Sequence, residues 1–235
     1  MKNLIVFGLF ILALVLVQFA QAQTLDDVIE KHIAAMGGKE KLMSLTSVKM
    51  TGGFNVQGTD VSIVITKKHL VGSRADISVM GTENYQIVTP AKGWVFMPVQ
   101  GQAGPEEMPD DQFKVGQNQL DLQSVFINYK EKGSTIEMAG KETADGTECY
   151  KLKVTFKNGN QVAYFIDTKT NRIAKTSTKL SVNGEETDVE TAYSNYKQNA
   201  DGYWFAYTTN STRGETNYEK IETNLPVDDN IFKAN

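Results

Sequence analysis

The spacing of apolar positions changes twice along this chain. Leu25, Val28, Ile29, Ile33 and Met36 recur at the interval of one helical face, with His32 on or beside it. Thr24 precedes them, and Asp26 and Asp27 fall in the first turn, a capping-box-like start whose acids suit the positive end of a helix. Gly37-Gly38 stops the helix, because glycine accepts the left-handed conformation found there. A second short helical piece, Lys39 to Leu45, follows. From Ser47 the period becomes two. Val48, Met50 and Phe54 alternate with polar residues, then Val61, Ile63 and Ile65, then Ile77 and Val79, then the runs Asn84 to Thr89 and Trp94 to Met97. The breaks at Gly58, Gly72, Gly81 and Lys92-Gly93 are too short for crossovers, so these strands form antiparallel hairpins.

The second change interrupts the strands. Gln100 to Pro109 is a Gly/Pro-rich loop, and Phe113 sits in a short helix or turn. Leu122, Val125, Phe126 and Tyr129 then stand at i, i+3, i+4 and i+7, which predicts a helix over Asp121 to Lys130 ending at Gly133. Alternation resumes afterwards. It is clearest where Tyr150, Leu152, Val154 and Phe156 oppose Lys151, Lys153, Thr155 and Lys157. Asn158-Gly159-Asn160 and Asn183-Gly184 read as hairpin turns. Gln161 to Asp167 is apolar on both faces, which requires cover on each side, helices on one and a cavity lining on the other. Later strands and a closing segment, Leu225-Pro226 to Phe232, complete the chain. A sheet this long curls. The expected fold is mainly β (α+β): a half-open, strongly curved antiparallel β-barrel of about eleven strands, with an N-terminal helix and an inserted helical lid.

The first residues stand apart from this pattern. Met1-Lys2-Asn3, an apolar run from Leu4 to Val17, and Ala20-Gln21-Ala22 form a signal peptide, with cleavage after Ala22 and Gln23 as the mature start. The run is short for a membrane span, so stable membrane insertion after cleavage is not expected. Residues 1–22 are thus a leader and 23–235 one domain. No lipobox Cys follows the cleavage point, and the lone Cys149 excludes an intramolecular disulfide. The 235-residue chain carries 24 basic and 28 acidic side chains; losing Lys2 takes the net charge from −4 to −5, which disfavours nucleic acid as a partner.

Candidate chemistry is sparse. Two histidines, His32 and His69, and one cysteine do not make a zinc site, and no cofactor motif, P-loop or nucleophile elbow occurs, so neither enzyme, metal nor cofactor is expected. Glu106-Glu107 and Asp110-Asp111 read as solvated loop and helix-start charges. What the chain supplies is apolar lining. Trp94, Phe96, Met97, Phe113, Leu122 and Phe126 gather in and beside the flap, and Ile63, Ile65, Ile77 and Val79 share strand faces. Such residues serve equally as filled core or as the wall of an adaptable hydrophobic cavity.

Four stretches carry a resemblance to a known family. They are Ile33-Ala34-Ala35-Met36-Gly37-Gly38 with Leu45 and Val48; Lys92-Gly93-Trp94-Val95-Phe96-Met97-Pro98; Tyr164-Phe165-Ile166-Asp167 with Arg172-Ile173; and Tyr196 to Phe205 around Asp201-Gly202-Tyr203. In this order the chain resembles the LolA-like periplasmic lipoprotein carriers and their relatives, which sort outer-membrane lipoproteins or sense envelope stress. The resemblance implies a half-barrel with an apolar concave face under a helical lid. It implies a periplasmic carrier binding acyl chains of lipoproteins or lipids without chemistry. The alternative is an envelope sensor or interaction module that meets envelope membrane proteins through the same barrel. Where the family's carriers place a lid-latching arginine, this chain reads Lys67-Lys68-His69-Leu70, with Arg74 beyond.

Overall fold

The computed structural model describes residues 23–182, 185–212 and 214–234; the expected leader and the Asn183-Gly184 turn lie outside them. Helix α1 (Leu25–Ala35) begins with the capping box: the Thr24 hydroxyl accepts the Asp27 N–H at 3.2 Å, and the Asp27 carboxylate accepts the Thr24 N–H at 3.1 Å. A short helix α2 (Lys39–Met43) leads into the sheet. Six strands follow: β1 (Ser47–Val56), β2 (Thr59–Lys68), β3 (Gly72–Val79), β4 (Thr82–Val88), β5 (Gly93–Phe96) and β6 (Glu106–Glu107). Helix α3 (Asp110–Asn118) and a run of turns separate them from β7 (Thr135–Ala144), β8 (Thr147–Thr155), β9 (Gln161–Asp167), β10 (Ile173–Val182), β11 (Glu185–Gln198), β12 (Trp204–Ser211) and β13 (Gly214–Thr223).

All thirteen strands form one sheet, ordered β6-β5-β4-β3-β2-β1-β13-β12-β11-β10-β9-β8-β7. Each half is a meander of antiparallel hairpins, and the halves join where β1 pairs with β13. The outer edges, β6 and β7, do not pair with each other, so the curved sheet stays open. The strands exceed the expected eleven for two reasons. β6 is only two residues long, and β10 alternates Thr176 and Thr178 with Ser177 and Lys179, leaving no aliphatic stripe to read.

The flap differs from expectation. Its helix is α3, while 121–130 is a succession of turns. Ser124 and Asn128 have φ of 81° and 53°, which no right-handed helix accommodates. Local side-chain bonds compete with the helix as well: the Asp121 carboxylate accepts the Gln123 N–H, and the Ser124 hydroxyl accepts the Phe126 N–H. The apolar stripe nevertheless turns inward. Phe126 is buried with Val28, Ile29, Leu152, Val154 and Ile166, and Val125 and Tyr129 pack against them. Leu122 packs on Leu45, Val48 and Ile221.

Candidate functional site

Strand alternation and register define the two faces of the sheet. Met50, Ile65 and Ala75 face one another across β1, β2 and β3. The next row is Gly52, Ile63 and Ile77, and the next Phe54, Val61 and Val79. These rows lie on the face that bears Val48 and Ile221, the face under Leu122. It is the concave wall of a trough. Val61 is buried, while Ile63, Ile65, Ile77 and Val79 are half-buried and join none of the buried clusters. The opposite wall differs in chemistry. Tyr164, Tyr193 and Tyr218 share the concave face there with Thr176, Thr191 and Thr209. Burial raises the pKa of all three phenols, so they stay neutral, and Tyr193 shares a 3.3 Å hydrogen bond with Thr176.

A roof crosses the trough. Gly116 of α3 rests on Val88 of β4; a Cβ there would meet the valine at 2.8 Å, so only glycine permits the approach. Phe113 and Met108 stand over Gly93 of β5. At the far side, Asn118 Nδ2 donates to Asn160 Oδ1 at 2.9 Å and Asn158 Nδ2 donates to the Lys114 carbonyl at 3.1 Å. Past α3, the Leu70 N–H donates to the Leu120 carbonyl at 2.9 Å, and the Leu122 N–H donates to His69 Nδ1 at 3.2 Å. That bond fixes the proton of a neutral His69 on Nε2. Burial lowers the His69 pKa and Lys132 adds to this, against the opposing pull of Asp121. His69 and Leu70 therefore hold the lid at the segment the sequence singles out as Lys67-Lys68-His69-Leu70. Arg74 plays no part: it bonds Asp76 and the Ile231 carbonyl on the convex side.

Of the ten expected lining residues, Ile63, Ile65, Ile77 and Val79 lie on the floor, and Phe113, Leu122 and Phe126 lie in the roof. Trp94 and Phe96 do not belong with them. Paired with Ile87 and Tyr85, they point to the convex face, where the C-terminal tail covers them with Val227, Ile231 and Phe232. Met97 follows β5 and caps a short 3-10 turn, its N–H held by Gln102 Oε1 at 2.6 Å. The outer face of β9 is no cavity wall either. Phe165 packs with Ala144 and Cys149, and the ammonium groups of Lys151 and Lys175 lie over its ring at 5.2 Å.

Two hollows indent the surface. One, of about 340 Å³, opens where α3 meets the β8–β9 and β10–β11 hairpins; its rim carries Asp111, Lys114, Lys179 and Glu186. The other, of about 540 Å³, lies at the α1–α2 turn. Neither is lined by Ile63, Ile65, Ile77 or Val79. Among the described residues, no group of three or more His, Cys, Asp or Glu is placed to hold a metal ion, and no helix is long and apolar enough to cross a membrane.

No protein-family model and no curated protein matches the sequence. Solved structures do match the fold. A LolA superfamily protein from Nitrosomonas europaea aligns over 90% of this chain and 98% of its own, at 16% identity and a TM-score of 0.56. The chain has the LolA-like fold. A domain named for outer membrane lipoprotein sorting, from Vibrio parahaemolyticus, covers 88% of this chain and 94% of its own at 14% identity, with a TM-score of 0.52. A DUF1329 family protein from Desulfovibrio piger covers 89% and 97% at 13% identity, with a TM-score of 0.55. Within the LolA-like fold, this chain carries its aliphatic wall on β2 and β3 and holds its lid with asparagines and His69 rather than with an arginine.

Proposed function

We propose that this protein is exported to the periplasm after removal of residues 1–22 and carries acylated, hydrophobic molecules, without catalysing a reaction on them. The observation that carries this reading is the aliphatic wall of Ile63, Ile65, Ile77 and Val79, which lies on the face that the lid crosses and joins none of the buried clusters. Half-buried aliphatic side chains on a concave surface gain about 25 cal/mol for each Å² of their remaining exposed apolar area that a ligand covers. Four such residues, on the same face as Leu122 and Phe113, offer an acyl chain a continuous apolar wall. The LolA-like fold supports the same direction, since one structural relative is named for lipoprotein sorting.

The test is mass spectrometry of organic extracts from protein purified from the periplasm without detergent. A lipid or acylated species at near-equal molar amount is the expected result. Ile63→Asp should fold, because the position keeps contact with solvent, and should come out empty. Wild-type protein with no extractable ligand and no uptake of a hydrophobic dye would sink the reading. The rival reading, an interaction module that recruits a partner strand to the free edge of β7, is opposed by that edge itself. Glu137, Lys141 and Glu142 charge the strand, and a bulge at Met138/Lys141 breaks its register, two devices that discourage strand addition.

A further inference from the structure

One row of the concave face breaks its aliphatic character. Across β1, β2, β3 and β4 it reads Val48, Lys67, Ser73 and Val88. The two valines are buried. Lys67 and Ser73 face each other directly between them, half-buried, under the stretch of roof from Gly116 to Leu122. Cross-strand partners of this kind have Cβ atoms about 5 Å apart. Among the described residues, neither the Lys67 ammonium nor the Ser73 hydroxyl makes a hydrogen bond or an ion pair. Neighbouring cations are answered: Lys68 pairs with Asp229 at 2.6 Å and Lys132 pairs with Asp121. Burial alone lowers the Lys67 pKa to about 8, with no carboxylate acting on it, and the group remains mainly protonated at neutral pH.

An unanswered ammonium and hydroxyl, side by side in a half-buried row, offer N–H and O–H donors to an anion of two oxygens. The positions next to them on the same face are apolar pairs: Ile65 with Ala75, Ile63 with Ile77, Val61 with Val79. From Lys67 to Val61 this track runs about 20 Å, at roughly 3.3 Å per residue. We propose that Lys67 and Ser73 form a head-group site at the end of an aliphatic track, and that its ligand is a single-chain carboxylate, a free fatty acid. The proposal rests on the trough being the binding compartment. One cation and one hydroxyl match a singly charged head; a doubly charged phosphate calls for more donors.

The experiment loads the mature protein with the neutral dye N-phenyl-1-naphthylamine and displaces it with tetradecanoate, tetradecanol or tetradecyl phosphate, each kept below the concentration at which it aggregates or leaves solution. Tetradecanoate should displace the dye at about a tenth of the tetradecanol concentration, the scale of one charge-assisted pair. Lys67→Met should abolish that difference while the dye still binds, and should raise the melting temperature of the empty protein, because it removes a desolvated charge. Lys67→Arg should keep the preference, and Ser73→Ala should weaken it about threefold. Equal displacement by acid and alcohol in the wild type, or an undiminished preference in Lys67→Met, overturns the head-group site and leaves the compartment standing. Tighter binding of the phosphate overturns the carboxylate assignment. Failure of the wild type to take up the dye overturns the compartment and the site together.

Discussion

At the scale of single residues, His32 shows how burial turns a helix position into a pH dependence. Its ring is 3% exposed, its Nδ1–H donates to the Asn171 carbonyl at 2.9 Å, and it meets the edge of Phe126 at 5.0 Å. Desolvation lowers its pKa to about 4, only partly opposed by that hydrogen bond. The folded state thus holds a neutral ring, while the unfolded chain titrates near 6.5. The resulting stability is complete above pH 6.5 and is lost as pH falls from 6.5 towards 4. Urea unfolding should show about 3 kcal/mol less stability at pH 4 than at pH 7 from this residue. His32→Phe should flatten that part of the profile; an unchanged slope would assign it to other groups. The position of His32 at the seam was legible from its helical spacing. The faces taken by Trp94 and Phe96 were not. In β4 and β5 both faces are apolar, Ile87 and Trp94 on one, Val88 and Val95 on the other, so alternation alone does not tell inside from outside.

At the scale of elements, the lid is a strap fastened at separate points rather than one rigid helix. Asn160 supplies one fastening, through Asn118 at 2.9 Å. Asn160→Ala should speed dye release several-fold in stopped flow while costing the fold only roughly 1 kcal/mol, the worth of an ordinary hydrogen bond. Unchanged release would place the moving part elsewhere. His69 supplies another fastening, and protonation would take away the lone pair that accepts the Leu122 N–H. The inward stripe of this strap was visible in Leu122, Val125, Phe126 and Tyr129, because burial depends on which residues are apolar. Its conformation was not, because Ser124 and Asn128 in left-handed backbone carry no apolar signal.

At the scale of the whole molecule, the tail seals the convex face. Phe232 packs against Gly72 so closely that a Cβ would meet its ring at 2.4 Å. Gly72→Val should therefore lift the tail from Tyr85, Ile87 and Trp94, lowering stability by about 2 kcal/mol and shifting Trp94 fluorescence to the red. A variant with native fluorescence and stability would show that the tail yields without leaving. Hairpins and antiparallel order could be read from the short breaks between strands. The adjacency of β1 and β13 could not, since nothing local in Val48 or Thr223 announces a partner at the other end of the chain. That adjacency sets a folding order. Each meander closes through short loops and pays little entropy for it, whereas the seam must bring Val48 to Thr223 across nearly the whole polypeptide. The two arms can zip early and separately, but the trough does not exist until that seam closes. During synthesis, the aliphatic wall of β2 and β3 emerges long before β12 and β13, so it waits exposed for the arm that completes the trough.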